Sequence, residues 1–239
     1  MSETGKADPV ILAENLTFRY EDNIHRRGEK GSAGEPAIAG LDLTLYRGEA
    51  VALAGQNGAG KTTLGKLLAG ILEPSSGRVL LWGRDASDMQ LFEIGQKIGY
   101  CFQNPERQLF AATVEEEISF GLIYRGMQKS EVDRITGELI QLFELESVRD
   151  CFPLNLSYGE KKRLALAASL ALSPEYLILD EPTAGLDSGR IEILGRVLKE
   201  LRSRNIGMLL ISHNEEFLRE NTARILTMEG GRIIRDQRI

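Results

Sequence analysis

The sequence is poor in cysteine, histidine and aromatic residues. Only two of its 239 residues are Cys, Cys101 and Cys151, and only two are His. So few cysteines exclude a disulfide-stapled scaffold and fit a reducing compartment. Both thiols are expected as buried or half-buried small side chains. Long apolar runs are lacking too: the longest, Leu164 to Leu172, is about half of what a bilayer-spanning helix needs. Met1 to Pro9 carries Glu3 and Asp8 and no apolar stretch of useful length, so no signal peptide is expected. Positive charge is also short, with a formal net charge of −6 and a pI near 5.2. An acidic chain is a poor general binder of nucleic acid, and no such partner is expected. No internal repeat and no low-complexity tract stands out.

What is present is ordinary globular composition, 42 % hydrophobic and 27 % charged. Ile11 to Tyr20 and Ile38 to Tyr46 alternate and predict two strands, separated by a charged loop from His25 to Pro36. Ala50 to Ala54 is a short apolar run ending in a Gly-rich turn. Leu64, Leu67, Leu68 and Ile71 then follow at helical spacing. Gly83 to Asn155 reads as mainly helical, with Val132, Ile135, Leu139, Leu142 and Phe143 on one helical face and Ser130 placed to cap it. Strand and helix alternate again afterwards: Tyr176 to Leu179, a helix through Ile191 to Leu201, and a strand from Gly207 to Ser212. A hairpin from Arg224 to Ile234 turns at Gly230–Gly231. This alternation predicts an α/β fold around a parallel sheet, with an antiparallel N-terminal β region and an inserted helical subdomain. The expected organisation is one domain over 1–239, with 9–86 and 174–239 as core and 87–173 as the helical insert.

The segment Gly55-Gln56-Asn57-Gly58-Ala59-Gly60-Lys61-Thr62 matches the phosphate-loop pattern G-x-x-x-x-G-K-[ST] without departure. Glycines let successive backbone N–H groups point at phosphate oxygens, and the loop feeds a helix N-terminus that favours anions. Lys61 is placed to reach the β- and γ-phosphates, and the Thr62 hydroxyl to ligate Mg²⁺. Far along the chain, Leu177-Ile178-Leu179-Asp180-Glu181 is an apolar strand ending in two carboxylates. An acid at that strand end lies in the crevice where such sheets bind ligands. Asp180 is the expected metal partner, through water, and Glu181 the group that polarises an attacking water.

Leu156-Ser157-Tyr158-Gly159-Glu160 opens a helix with a capping box, Ser157 against Glu160. These five residues resemble the signature motif of the ATP-binding cassette family, usually Leu-Ser-Gly-Gly-Gln. Other elements of that family follow in the same order: Gln103 resembles the Q-loop glutamine, Ala184-Gly185-Leu186-Asp187 the D-loop, His213 the switch histidine, and Tyr20 the aromatic that stacks on adenine. The resemblance implies a phosphate-loop ATPase that holds ATP on Tyr20, Gly55 to Thr63 and, across a dimer, Ser157, Gly159 and Asp187. It implies Mg²⁺ held by Thr62, Gln103 and Asp180, with Glu181, His213 and Gln103 as catalytic groups. Finer still, Gln103-Asn104-Pro105 with Gln108-Leu109-Phe110, Thr113-Val114-Glu115 and Phe120-Gly121 resemble the energy-coupling-factor ATPases, motors of vitamin and transition-metal uptake.

That likeness implies a second ATPase subunit, identical or not, and an integral membrane coupling subunit docked on Gln103 to Phe110. A substrate-capture membrane protein is reached through it, and the chain is expected at the cytoplasmic face of the cell membrane. Beside it stand the cassette of a conventional importer or exporter and three readings from other classes: a soluble cassette of repair or translation, a nucleotide-holding module without turnover, and a small-molecule kinase. The first expects heptads or a second cassette, the second lacks a role for Glu181 and His213, and the third lacks one for Leu156 to Glu160. Two departures mark the signature: Tyr158 stands for a glycine and Glu160 for a glutamine. The chain ends soon after the hairpin, where many relatives carry an extension that helps the two ATPases associate, so the resemblance does not extend to constitutive dimerisation.

Overall fold

The computed structural model describes residues 9–20 and 35–239. The N-terminal segment before Pro9, and residues 25–34 of the charged loop, lie outside them.

Two sheets form from two kinds of sequence pattern. β1 (Pro9–Phe18) and β2 (Ile38–Tyr46) alternate buried and open positions and pair antiparallel, with Ala13 opposite Leu43 and Leu16 opposite Leu41. The first parallel-type strand, β3 (Ala50–Gly55), leaves this pair. β4 (Ser76–Leu81) and the short β5 (Arg84–Asp85) return to β1 and complete a four-stranded sheet of order β2-β1-β4-β5.

The second sheet contains β6 (Ile98–Cys101), β7 (Tyr176–Asp180), β8 (Gly207–Ile211), β9 (Arg224–Glu229) and β10 (Arg232–Arg238), in the order β10-β9-β3-β8-β7-β6. Every pairing from β9 to β6 is parallel, and only the terminal hairpin β9–β10 is antiparallel. All residues of β7 and β8 are buried. That is the mark of strands covered on both faces, and it explains their unbroken apolar runs.

Alternate side chains of these strands feed two cores. Val51, Leu53, Ile178, Leu209 and Leu226 pack toward β1, β2 and helix α1 (Lys61–Leu68), whose Leu64, Leu67 and Leu68 are buried there. Ala52, Leu177, Leu179, Met208 and Leu210 face the other way. They meet the helices that follow the short α2 (Leu91–Gly95): α3 (Val114–Tyr124), α4 (Lys129–Leu142), α5 (Tyr158–Ala171), α6 (Ser188–Ser203) and α7 (Glu215–Asn221). At about 25 cal/mol per Å², each fully buried Leu or Ile contributes on the order of 2 kcal/mol, so both cores are needed.

The structure departs from the sequence reading in three places. The middle block is not purely helical: β6 lies inside it and forms the edge of the parallel sheet. Ser130 does not cap α4, because the helix begins at Lys129 with Gln128 as its N-cap residue. Cys101 is buried as expected, but Cys151 is exposed.

The consequence for function is one of placement. The loops after β3, β6, β7 and β8 all leave the same end of the parallel strands, which is where sheets of this kind bind ligands.

Candidate active site

Glycine shapes the loop between β3 and α1. Gly55 has φ 149°, and a Cβ there would lie 2.2 Å from the Met228 carbonyl oxygen. Gly60, the N-cap residue of α1, has φ 100°, and a Cβ would meet the Ala37 carbonyl at 2.4 Å. No side chain fits at either position, so the loop is held as a bare backbone cradle. Gly60 offers no capping side chain, which leaves the first N–H groups of α1 open toward an anion. Lys61 folds back onto the loop and donates from Nζ to the Gly55 carbonyl (2.7 Å) and the Gln56 carbonyl (3.0 Å). Burial lowers the pKa of this ammonium, while Glu181 and Asp180 pull it back up. A phosphate taking over those carbonyl contacts meets a partly desolvated cation, where charge interactions are strong.

Opposite the loop, β7 delivers Asp180. The Thr62 hydroxyl donates to Asp180 Oδ2 at 2.8 Å, and Tyr100 Oη donates to the same oxygen at 3.4 Å. Asp180 Oδ1 is buried and has no hydrogen-bond partner among the described residues. Burial raises the Asp180 pKa, opposed by the Thr62 hydrogen bond and by Lys162. A hydroxyl, a carboxylate with one open oxygen and a neighbouring amide form the all-oxygen donor set that Mg²⁺ takes beside phosphates, so the residues fit that ion.

The next residue turns sharply. Glu181 has φ 50°, a left-handed conformation that costs a non-glycine residue about 1–2 kcal/mol. Its N–H donates to the Ile211 carbonyl at 2.8 Å, which fixes the turn against the end of β8. The carboxylate is thereby set 3.3 Å from His213 Nε2, and it accepts from the Ser212 hydroxyl at 3.4 Å. Tyr20 sits across the loop, its ring edge-on to Phe18 and its hydroxyl 2.9 Å from Thr63 Oγ1.

These residues share one cavity of about 330 Å³. It is lined by Tyr20, Asn57, Gly58, Gly60, Lys61, Thr62 and Thr63 on one side and by Gln103, Asp180, Glu181 and His213 on the other. Gly55, Gln56 and Ala59 shape the loop without lining the cavity, Gln56 through its carbonyl and Ala59 from the core. Ser157, Gly159 and Asp187 are not brought to it. Ser157 caps α5 in the expected capping box: its Oγ donates to Glu160 Oε2 at 2.6 Å, and its N–H to the same carboxylate at 2.9 Å. Those bonds lower the Glu160 pKa. Asp187 caps α6 and pairs with Arg190 at 2.5 Å.

Two residues near the site gave no sequence signal. Lys162 is wholly buried and donates to the carbonyls of Phe102 (3.0 Å), Gln103 (3.2 Å) and Asp180 (3.2 Å). In the sequence it is one more lysine on an amphiphilic helix, although a cation flanked by Leu164 to Leu172 is one that needs a buried partner. Tyr100 supports Asp180 from β6, the strand hidden in the helical block.

The family described as ABC transporter matches residues 38–184, and one described as AAA domain, putative AbiEii toxin, Type IV TA system matches residues 151–219. Among curated relatives, the chain is 40 % identical over 227 residues to an energy-coupling factor transporter ATP-binding protein EcfA of Methanothermobacter thermautotrophicus, covering 94 % of this chain and 70 % of that one. It is 39 % identical over 228 residues to a putative ABC transporter ATP-binding protein of Methanosarcina acetivorans, covering 95 % of this chain. The chain spans only 35 % of that relative's length and 41 % of a second one's. Among solved structures, a dimeric ATP-binding cassette in a post-hydrolysis state bound to ADP and Pi superposes with a TM-score of 0.85 at 25 % identity, covering 95 % of this chain and 98 % of that one. CbiO1 of Clostridium perfringens, part of the ABC transporter complex cbiONQ, gives 0.79 at 32 % identity, covering 97 % and 89 %.

Proposed function

Because the chain belongs to the ABC transporter family as an ATP-binding cassette, we propose that it hydrolyses ATP to drive a membrane importer of the energy-coupling-factor type, with a transition-metal ion or a vitamin as cargo. The observation that carries this is the single cavity in which Lys61 and the Thr62–Asp180 pair face Glu181 and His213.

The chemistry follows from positions. The triphosphate lies along the N–H groups of residues 57 to 63, and Lys61 exchanges its loop carbonyls for phosphate oxygens. The adenine rests on Tyr20, the exposed aromatic at the cavity rim. Thr62, Gln103 and, through water, the free oxygen of Asp180 would hold Mg²⁺, which would supply charge neutralisation at the phosphates. Glu181 orients a water and takes its proton. Its strained turn and the Ser212 bond fix the carboxylate before substrate arrives. His213 contacts the γ-phosphate. Since phosphoryl transfer needs little covalent help, this positioning is the main contribution.

Ser157, Gly159 and Asp187 lie away from the chain's own cavity, which supports their acting on a second cassette, identical to this chain or not. EcfA and the cbiONQ subunit lend support by similarity to the energy-coupling-factor type. The membrane contact is supported by an apolar strip beside the Gln103–Phe110 segment. Phe110 packs edge-on against Phe120 at 4.8 Å, Phe120 stacks on Tyr124 at 6.3 Å, and Tyr124 meets Phe92 at 5.3 Å. All four rings are at least half exposed, and Leu91 and Ile123 extend the patch. No helix among the described residues is long and apolar enough to cross a membrane. On this reading the chain sits at the cytoplasmic face, held by a coupling subunit on this strip, with a separate substrate-capture membrane protein beyond it.

The test is affinity capture with tagged Glu181→Gln from native membranes in mild detergent with ATP and Mg²⁺, followed by mass spectrometry. A small helical coupling protein with a separate substrate-capture protein is the expected result. A conventional permease pair overturns the energy-coupling-factor assignment, and capture of soluble chains alone overturns transport.

A further inference from the structure

Three segments of this chain converge on one side chain outside the cavity. Tyr158 is the first residue of α5, directly after the Ser157 cap. Its hydroxyl donates to the Gln103 carbonyl at 3.1 Å. Its ring lies on the turn at Gly185: a Cβ on Gly185, where φ is +75°, would come within 2.4 Å of Tyr158 Cδ1 and 2.6 Å of Cε1. No side chain other than hydrogen is accommodated under that ring.

The neighbours of Tyr158 reinforce one of these links. Lys162, one helical turn on, donates to the same Gln103 carbonyl and to those of Phe102 and Asp180. Lys161 pairs with Glu106 at 2.6 Å. The Gln103 peptide is therefore held by two donors from α5, while the Gln103 side chain lines the nucleotide cavity. The link from this loop to the Gly185 turn passes through the Tyr158 ring. Tyr158 is 44 % exposed, so its burial adds little to the core. Its contacts instead join the loop at Gln103, the turn at Ser157 and the turn at Gly185.

We propose that Tyr158 is a positioning residue for the ATPase reaction, tying the Gln103 loop to the Ser157–Gly159 turn and to residues 184–187. Nucleotide in the cavity then sets the two segments offered to a second cassette. A shift of the Gln103 peptide pulls on the phenol, and the ring, seated on Gly185, carries that shift to the turn that ends at the Asp187 cap of α6. The proposal rests on the functional reading above, because it needs ATP at Gln103 and a partner at Ser157.

The test uses the full chain with Tyr158→Phe, which deletes one oxygen and keeps the ring, and Tyr158→Gly, which deletes both. Steady-state ATP turnover gives kcat and KM. Hydrogen exchange with and without ATP and Mg²⁺, in a Glu181→Gln background that holds ATP, gives protection by segment. Loss of one neutral hydrogen bond predicts that Tyr158→Phe lowers kcat about three- to tenfold, with KM for ATP within about twofold and the melting temperature nearly unchanged. ATP-dependent protection persists at residues 55–63 and is lost at 184–187. Tyr158→Gly lowers kcat further. Wild-type kcat and unchanged protection at 184–187 in Tyr158→Phe overturn the proposal, as does a fall in kcat that tracks a fall in melting temperature. Wild-type turnover and ATP-dependent protection at 55–63 are the readouts of the functional reading itself. With both present, a silent Tyr158→Phe refutes the role of Tyr158 alone.

Discussion

The phosphate-loop side and the signature side of this chain are built from different materials. At the loop, the gripping atoms belong to the backbone: Gly55 and Gly60 leave no space for a Cβ, and the N–H groups of α1 open into the cavity. At the signature turn, side chains are the material. Ser157 and Glu160 are spent on capping α5, Tyr158 reaches the Gln103 carbonyl, and Lys162 reaches three carbonyls at once. A backbone cradle tolerates little sequence change, whereas side-chain links leave room for Tyr158 and Glu160 to depart from the usual family residues. The loop side thus depends on backbone that admits no side chain, and the signature side on side chains that reach backbone carbonyls.

Breaking the gripping side gives the largest effect. Glu181→Gln is expected to lower kcat at least about 100-fold with ATP affinity retained, and Lys61→Ala to lose affinity as well, as steady-state turnover and nucleotide titration would read. On the reporting side, Lys162→Met removes a buried donor from three carbonyls, of which only that of Gln103 keeps a second one, the Tyr158 hydroxyl. It is expected to cost about 2–3 kcal/mol, lowering the melting temperature by on the order of 5–10 °C in a thermal scan.

Asp180→Asn separates the two sides by pH. Burial raises the Asp180 pKa in the folded chain. The group therefore contributes stability below the ordinary carboxylate pKa, and that contribution is lost as pH rises through the raised value. Asp180→Asn is expected to raise the melting temperature of the nucleotide-free chain at neutral pH, to flatten this pH dependence, and to abolish the further rise given by Mg²⁺ with ATP. The smallest effect belongs to the cavity rim, where Tyr20→Ala is expected to raise KM for ATP by about three- to tenfold and Tyr20→Phe to leave it nearly unchanged.

The gripping side was legible in the sequence because a backbone demand leaves a residue signature. Glycines at fixed spacing with a following Lys61-Thr62 read as a phosphate cradle, an apolar strand ending in Asp180-Glu181 gains its meaning beside them, and the structure brings them to one cavity. The two sheets followed from alternation at β1 and β2 and from unbroken apolar runs at β3, β7 and β8. β6 was not legible: it has four residues, Ile98 to Cys101, one of them Gly99, and it gains its strand character from pairing with β7. Ser130 misled because a capping residue near an apolar period fits several frames, and α4 starts before it. The roles of Tyr158 and Lys162 were hidden for another reason. Their partners are backbone carbonyls, those of residues 102 and 103 more than fifty positions away and that of Asp180 on the next strand, and a carbonyl has no sequence signature.

ATP held in the cavity of one chain is expected to bring it face to face with a second cassette whose Ser157 and Gly159 complete the site. The most direct measurement is sedimentation velocity of purified Glu181→Gln with ATP and Mg²⁺, compared with ADP and Mg²⁺. The expected result is a dimer with ATP and a monomer with ADP. A monomer at saturating ATP, with nucleotide bound, would contradict it.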